Sequence, residues 1–109
     1  MYLLIILGVV FLIIGLWMFN FPPPKINKWS GYRTKASMKS QKAWQVSNSY
    51  AGELFIRWGV GSVIVGITSF LLPIGKFEGS IISGLIALYI PYYVVRKTES
   101  KLKELENKT

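Results

Sequence analysis

Residues 2–21, YLLIILGVVFLIIGLWMFNF, form a run of 20 residues without a charged side chain. As an α-helix, such a run is about 30 Å long, which matches the hydrocarbon core of a bilayer. Pro22, Pro23 and Pro24 follow, and proline ends a helix because it lacks the backbone donor and disfavours helix in the residue before it. With no basic segment before the run and no small-residue cleavage site, we expect a retained transmembrane helix rather than a signal peptide.

Two further apolar runs follow. The first, residues 54–72, is interrupted only by Arg57 and stops at Pro73, and the second, residues 79–95, contains Pro91. Proline inside a membrane helix is tolerated where neighbours satisfy the freed backbone groups. We therefore predict an all-α membrane protein, a single domain over residues 1–109, with three transmembrane helices at about 2–21, 54–72 and 79–95, a connector at 22–53 and a tail at 96–109.

The composition excludes several kinds of chemistry. The 109 residues include neither Cys nor His, and the acidic residues are five Glu and no Asp. Disulfides, thiol nucleophiles, Cys/His metal sites and a histidine proton shuttle are thereby excluded. We expect no catalytic residue, no cofactor and no metal, and an enzyme is the less favoured class.

The net charge of +8 comes from 13 Lys and Arg. Because these cations flank apolar spans, the expected anion is the phospholipid headgroup rather than nucleic acid. Six cations lie between Lys25 and Lys42, five lie in the tail from Arg96 to Lys108, and the turn between spans two and three carries only Lys76. Since membrane proteins keep Lys and Arg on the cytoplasmic side, we expect the N-terminus outside and the connector and tail inside.

Small residues predict close helix packing. Ser62 with Gly66, and Ser80 with Gly84, are spaced i, i+4, a pattern that lets membrane helices approach each other. Packing of spans two and three within one chain is favoured, and self-association into a homodimer is the alternative.

The connector contains KINKWSGYRTKASMKSQKAW, residues 25–44, with six cations and no acid. The positive-inside rule explains the charge, and anchoring at headgroup level explains its Trp and Tyr. The alternative is a binding site. A tight turn at Gly31 would lead to an N-cap at Thr34 or Ser37, and an interfacial helix would then run into span two.

Such a helix start would make an anion site. Backbone N–H groups and the helix dipole favour negative charge there, and Arg33 binds phosphate or carboxylate bidentately. Glu53 and Arg57, spaced i, i+4 at the mouth of span two, are expected to form an ion pair, with one of them free to bind a partner in the functional alternative. The candidate ligand- or partner-binding residues are Asn27, Trp29, Gly31, Tyr32, Arg33, Thr34, Lys35, Ser37, Lys39, Trp44, Asn48, Glu53 and Arg57.

The connector also resembles the SdpI/YfhL family of small bacterial membrane proteins. The matching elements are the proline stop, Asn27, Gly31-Tyr32-Arg33-Thr34, Ser37-Met38, Trp44 and Asn48. The resemblance implies a multi-pass protein of the bacterial cytoplasmic membrane that gives immunity against a secreted, membrane-active peptide toxin. The family's namesake also holds its own repressor at the membrane.

Three functions therefore stand side by side. The first is an immunity protein that binds a peptide toxin or the lipid target of that toxin. The second is a binding protein for anionic lipid headgroups or lipid phosphates, possessing or lacking an activity on that lipid. The third is a scaffold that captures a cytoplasmic regulator. The tail, TESKLKELENKT, is expected to form a short exposed helix without chemistry.

Overall fold

A computed structural model describes residues 2–20 and 32–107 of the chain. Three α-helices account for most of them: α1 is Tyr2–Asn20, α2 is Gln41–Thr68 and α3 is Lys76–Asn107. A 3₁₀ turn, Ser69–Leu71, follows α2, and the two described ranges contain no strand. All three helices are long and apolar enough to cross a membrane. The predicted all-α membrane fold with three spans is therefore confirmed.

The helices differ in length, and α2 and α3 extend beyond α1 at one end of the molecule. With a rise of about 1.5 Å per residue, α1 is about 28 Å long, α2 about 42 Å and α3 about 48 Å. The molecule measures 52 Å along its longest axis, whereas the hydrocarbon core is about 30 Å thick. The last turn of α1 meets α2 at Gly52. We call residues 32–51 and 96–107, which extend beyond that level, the head, and we call the opposite end, with residues 72–75, the turn end.

Glycines bring the backbones of α1 and α2 into contact. A Cβ on Gly15 would lie 2.7 Å from the carbonyl oxygen of Gly52, and one on Gly8 would lie 2.9 Å from that of Gly59. Gly66 continues the row against Ile5. Gly8 and Gly15 are seven residues apart, as are Gly52, Gly59 and Gly66, so each set lies along one face of its helix. We call these five residues the glycine seam, and it fixes α1 antiparallel to α2.

The seam corrects the predicted use of the small residues. Gly66 packs against α1, and no atom lies within 4 Å of the Cβ position of Gly84, so neither glycine joins α2 to α3 as predicted. The sequence pattern that indicates the α1–α2 contact is a spacing of seven residues between glycines, rather than a spacing of four between small residues. Close packing in a membrane depends on van der Waals contact between backbones, and this contact occurs where glycines on both helices face each other.

The start of α2 is set by Ser40. Its backbone is extended, with φ −154° and ψ 162°, and its Oγ accepts a hydrogen bond from the N–H of Ala43 at 3.0 Å. A serine in this position satisfies one of the unpaired donors of the first turn and stabilises a helix by about 1 kcal/mol. The predicted caps, Thr34 and Ser37, are therefore wrong, because residues 32–40 precede the helix. From Gln41 onward, α2 runs unbroken into span two, as predicted.

The third span and the tail form one helix. α3 passes Pro91 and continues to Asn107, so the predicted tail helix is an extension of the span. Its buried residues in the head half are Ile90, Val94, Thr98 and Leu102, whereas in the turn half only Gly79 and Ser83 are buried. α3 therefore buries large side chains near the head, whereas its only buried residues near the turn end are small.

Candidate functional site

The head is built around a hydrogen bond between the connector and α2. The backbone N–H of Tyr32 donates to Oδ1 of Asn48 at 2.8 Å, and the amide nitrogen of Asn48 donates to the carbonyl oxygen of Trp44 at 2.9 Å. Trp44 and Asn48 are fully buried. A buried amide must satisfy both its ends, and the two bonds do so. Asn48 therefore serves as a bridge that fixes the first described residue of the connector onto α2.

Thr34 and Ser37 close the turn that follows Tyr32. Ser37 Oγ accepts from the N–H of Thr34 at 2.7 Å, and Thr34 Oγ1 accepts from the N–H of Ser37 at 3.1 Å. The Ser37 hydroxyl proton is within reach of the carbonyl oxygens of Thr34, at 2.9 Å, and of Tyr32, at 3.2 Å. Side chains of this kind replace backbone partners in tight turns. Both hydroxyls thus form hydrogen bonds within the turn, and their place among the candidate binding residues stays a prediction.

Tyr32 also fastens the connector to α3. Its side chain is buried, and its hydroxyl donates to the carbonyl oxygen of Val95 across a long distance of 3.4 Å. Burial raises the pKa of the Tyr32 hydroxyl well above its ordinary value, and the nearby carboxylate of Glu99 raises it further. Tyr32 therefore remains a neutral donor throughout the physiological pH range. It joins three segments of the head rather than forming the wall of an open pocket.

The cations of the connector lie on the surface of this framework. Arg33, Lys35 and Lys39 are exposed and sit in the turn before α2, not along a helical stripe. Lys39 Nζ lies 3.1 Å from Glu106 Oε1 at the end of α3. The cations that flank the actual N-terminus of α2 are Lys39 and Lys42, whereas Arg33 and Lys35 precede it by several residues. The structure thus separates Arg33 from the helix start with which the sequence had combined it.

Sequence reasoning missed the role of the tail. Glu106 pairs with Lys39, and the ammonium of Lys101 lies 6.0 Å from the ring centre of Tyr50, so α3 holds both the turn and α2. A signal was present, because the connector has six cations without an acid and three of the five Glu lie in the tail. Exposed pairs of this kind contribute only about 0–1 kcal/mol each. Their effect is orientation of the head rather than stability.

Glu53 and Arg57 form the predicted ion pair. The distance from Arg57 Nη2 to Glu53 Oε1 is 2.6 Å, and both side chains face outward from the bundle. Glu53 follows Gly52, at the level of the last turn of α1, so Arg57 lies one turn deeper. At that depth, an unpaired charge is costly. The pair therefore neutralises a charge that faces lipid, and it lies apart from the Tyr32–Asn48 framework.

Three predicted residues, Asn27, Trp29 and Gly31, lie outside the described residues. Of the ten others, Tyr32, Thr34, Ser37, Trp44 and Asn48 come together as the framework of the head. Arg33, Lys35 and Lys39 lie on its surface. In the described ranges, no three acidic residues come together in a way that would hold a metal ion.

The surface of the head is strongly basic and carries a small cleft. Residues 32–51 and 96–107 contain eight Lys or Arg and three Glu. A cleft of about 130 Å³ lies between the turn and the end of α3, with Leu102 and Leu105 on one side and Ala36 and Ala43 on the other. Lys39, Lys42 and Glu106 border it. The head can therefore attract anions over its surface and admit one small apolar group.

One buried hydroxyl in the head has no partner among the described residues. Thr98, on the buried face of α3, is fully buried, and its Oγ1 makes no hydrogen bond there. Leaving such a group unpaired costs about 1–3 kcal/mol. No sequence signal distinguishes it from the other Thr and Ser residues, because its burial follows from the way α3 packs.

Comparisons with known proteins agree with this arrangement. The family model described as the SdpI/YfhL protein family matches residues 24–95, a segment that includes the whole framework. A protein of Bacillus subtilis (strain 168) with the name Uncharacterized protein YfhL is 35% identical over 96 residues, which cover 88% of this chain and 82% of that protein. No solved structure matches this chain. The chain belongs to the SdpI/YfhL protein family.

Proposed function

We propose that this protein is a multi-pass membrane immunity protein that protects the cell against a membrane-active peptide toxin. The head is its working part and faces the cytoplasm. The observation that carries the proposal is the Tyr32–Asn48 framework. Its five residues are among those that carry the family resemblance, and it holds Arg33 and Lys35 at fixed positions on a basic surface.

The framework gives a role to the buried polar residues beneath the basic surface of the head. A connector between two spans can lack ordered structure and still satisfy the positive-inside rule. Here Tyr32, Ser37 and Asn48 instead fix the backbone on both sides of Arg33. Side chains presented from a fixed backbone lose less entropy when they bind. This arrangement favours recognition of a particular anionic or peptide partner over general attraction to the membrane.

Protection is tested by expressing the protein in a strain that is sensitive to a secreted, membrane-active peptide toxin of the kind against which the SdpI/YfhL family's namesake protects. The wild-type chain should allow growth in the presence of toxin, and the double variant Arg33→Ala/Lys35→Ala should lose most of the protection. Lys103→Ala is the matched control, because it removes one exposed cation of the head outside the turn. Unchanged killing of cells that contain the wild-type protein in the membrane would contradict the proposal.

The orientation has a separate test, since the chain contains no cysteine. Lys35→Cys and Lys76→Cys place one thiol in the head and one at the turn end. In intact cells, a membrane-impermeant maleimide should label position 76 and leave position 35 unlabelled until the cells are opened. Labelling of position 35 in intact cells would show that the head faces outward.

Binding of anionic lipid headgroups is the second candidate, favoured by the excess of cations over Glu in the head. The Arg33 guanidinium suits a phosphate because it donates two parallel hydrogen bonds, which an ammonium does not. Arg33→Ala and Arg33→Lys should both reduce binding of the purified protein to phosphatidylglycerol vesicles, with phosphatidylcholine vesicles as the control. If both variants bound the phosphatidylglycerol vesicles as well as the wild type does, this candidate would be removed. The toxin test would be unaffected.

A further inference from the structure

A groove runs between α3 and the α1–α2 pair in the turn half of the molecule. It exists because the only buried residues of α3 there are the small residues Gly79 and Ser83, while the glycine seam holds α1 against α2. A hollow of about 530 Å³ lies at the turn end, and one of about 390 Å³ adjoins it towards the middle of the molecule. We call the first the shallow hollow and the second the deep hollow, because the second lies farther from the turn end along the helices. We call the two hollows the lateral groove. Each falls within the size range of small-molecule sites, about 300–1,000 Å³.

The deep hollow is apolar. Its walls are formed by Leu4 of α1, Trp58 and Val65 of α2, and Leu85 and Ile86 of α3. Gly61 provides the space, since no atom lies within 4 Å of the position where its Cβ would be. The rings of Trp58 and Tyr89 meet edge to face at 6.2 Å at its inner end. Water finds few hydrogen-bond partners in such a cavity, so an apolar chain is the favoured occupant.

The length of the groove matches one leaflet. From Ser69, in the shallow hollow, to Trp58, in the deep one, α2 rises by about 16 Å. Half of a hydrocarbon core of about 30 Å is about 15 Å. The deep hollow is lined wholly by residues of the three helices that are apolar enough to span the membrane, and the shallow hollow also includes residues of the loop between α2 and α3. An acyl chain that enters at the turn end would therefore end near Trp58.

The mouth of the groove carries charges of both signs. Lys76 lines the shallow hollow, and its ammonium forms no ion pair within residues 2–20 and 32–107. The carboxylate of Glu78 lies against Gly75, which lines the same hollow. A headgroup that contains a phosphate and an ammonium would meet a counter-charge for each. A purely anionic headgroup would meet Glu78 as a like charge.

We propose that the lateral groove binds one phospholipid molecule, with an acyl chain in the deep hollow and its phosphate at Lys76, and that it prefers a zwitterionic headgroup. The site lies at the end of the molecule opposite the head and does not depend on protection against a toxin. It gives the chain a structural lipid, which fills the space that the small residues Gly79 and Ser83 leave between α3 and the other helices.

The test compares two glycines in equally open surroundings. Gly61→Leu fills the deep hollow, whereas Gly84→Leu adds the same side chain at a position that also has no atom within 4 Å and does not line the groove. The full chain is purified in mild detergent from membranes that contain phosphatidylethanolamine and phosphatidylglycerol, and native mass spectrometry counts the retained lipids. Wild type and Gly84→Leu should each retain one phosphatidylethanolamine, and Gly61→Leu should retain at least about tenfold less.

A second measurement locates the acyl chain. Phospholipids with brominated acyl chains quench tryptophan fluorescence on contact. The fluorescence of Trp58 should therefore be quenched in the wild type and protected in Gly61→Leu. The variant Trp58→Phe identifies the share of the emission that comes from Trp58. Lys76→Ala should reduce retention by up to about fivefold, as loss of one exposed charge pair predicts. Equal retention by Gly61→Leu and Gly84→Leu, or a wild-type chain without lipid, would overturn the proposal. A two-chain species that forms in the wild type and in Gly84→Leu but not in Gly61→Leu would also overturn the proposal, because the groove would then bind a second copy of the chain.

Discussion

The backbone N–H of Tyr32 and Oδ1 of Asn48 are 2.8 Å apart and separated by 16 residues along the chain. Both groups are buried, so neither has water as an alternative partner. This bond fixes Tyr32 of the connector against α2. It thereby positions Arg33, the next residue.

Asn48→Ala should destabilise the protein. It leaves the buried N–H of Tyr32 without its partner, and a buried unsatisfied donor costs about 1–3 kcal/mol. Unfolding in mixed micelles with a rising fraction of SDS, followed by circular dichroism, measures the change. Gln45→Ala, at an exposed position of the same helix, is the control and should stay within about 0.5 kcal/mol of wild type. Equal stability of both variants would show that the bond does not hold the connector.

Tyr32→Phe should change how stability depends on pH. An unfolded tyrosine ionises with a pKa of about 10, whereas burial raises the pKa of Tyr32 in the folded protein. Above about pH 10, the unfolded chain therefore binds fewer protons than the folded one, and stability from this group, intact at lower pH, falls as the pH rises. The difference in unfolding free energy between wild type and Tyr32→Phe should thus shrink between about pH 9 and about pH 11. A constant difference across that range would mean that Tyr32 ionises equally in both states.

Gly59→Ala should loosen the α1–α2 pair. The new methyl group would lie 2.7 Å from the backbone nitrogen of Leu12, and overpacking of this kind costs about 1–3 kcal/mol. Gly61→Ala, two residues further along α2, has open space and should be neutral or gain up to about 1 kcal/mol from helix propensity. The same unfolding assay separates the two. A loss in Gly61→Ala as large as that in Gly59→Ala would point to a general effect of alanine in this helix.

Thr98→Val should stabilise the head. The two side chains have nearly the same shape, and the substitution removes a buried hydroxyl that has no partner among the described residues. The expected gain is about 1 kcal/mol, the lower end of the cost of an unsatisfied buried group. Thr98→Ser is the control, since it keeps the hydroxyl and removes a methyl group. A loss of stability in Thr98→Val would show that the hydroxyl has a partner in solution, such as a bound water molecule.

Patterns within one helix predicted most of the fold. The length of 2–21 and the prolines that follow predict α1, and the spacing of Glu53 and Arg57 predicts their ion pair, because each pattern depends only on helix geometry. The position of the α2 N-cap was not predictable in the same way. Thr34, Ser37 and Ser40 all suit a cap, and the choice of Ser40 depends on Tyr32 reaching Asn48, a contact between distant residues.

The candidate site shows the same limit. Composition and motif identified the residues of the head, but they did not separate those that build it from those on its surface. Trp44 and Asn48 are suitable for binding and equally suitable for a buried core, and only the packing of α3 against α2 distinguishes the two. The contribution of Glu106 and the open lateral groove likewise depend on how the helices lie together.

The glycine seam has a consequence for the response of the protein to its membrane. Because the backbones of α1 and α2 touch at Gly8, Gly15, Gly52 and Gly59, neither helix can tilt without the other. Hydrophobic mismatch is usually relieved by tilting of single helices, and here the α1–α2 hairpin must tilt as a rigid unit. Since α2 continues into the head, every degree of tilt also moves Arg33 relative to the headgroup plane. Bilayer thickness thereby sets the height of the basic surface of the head relative to the headgroups.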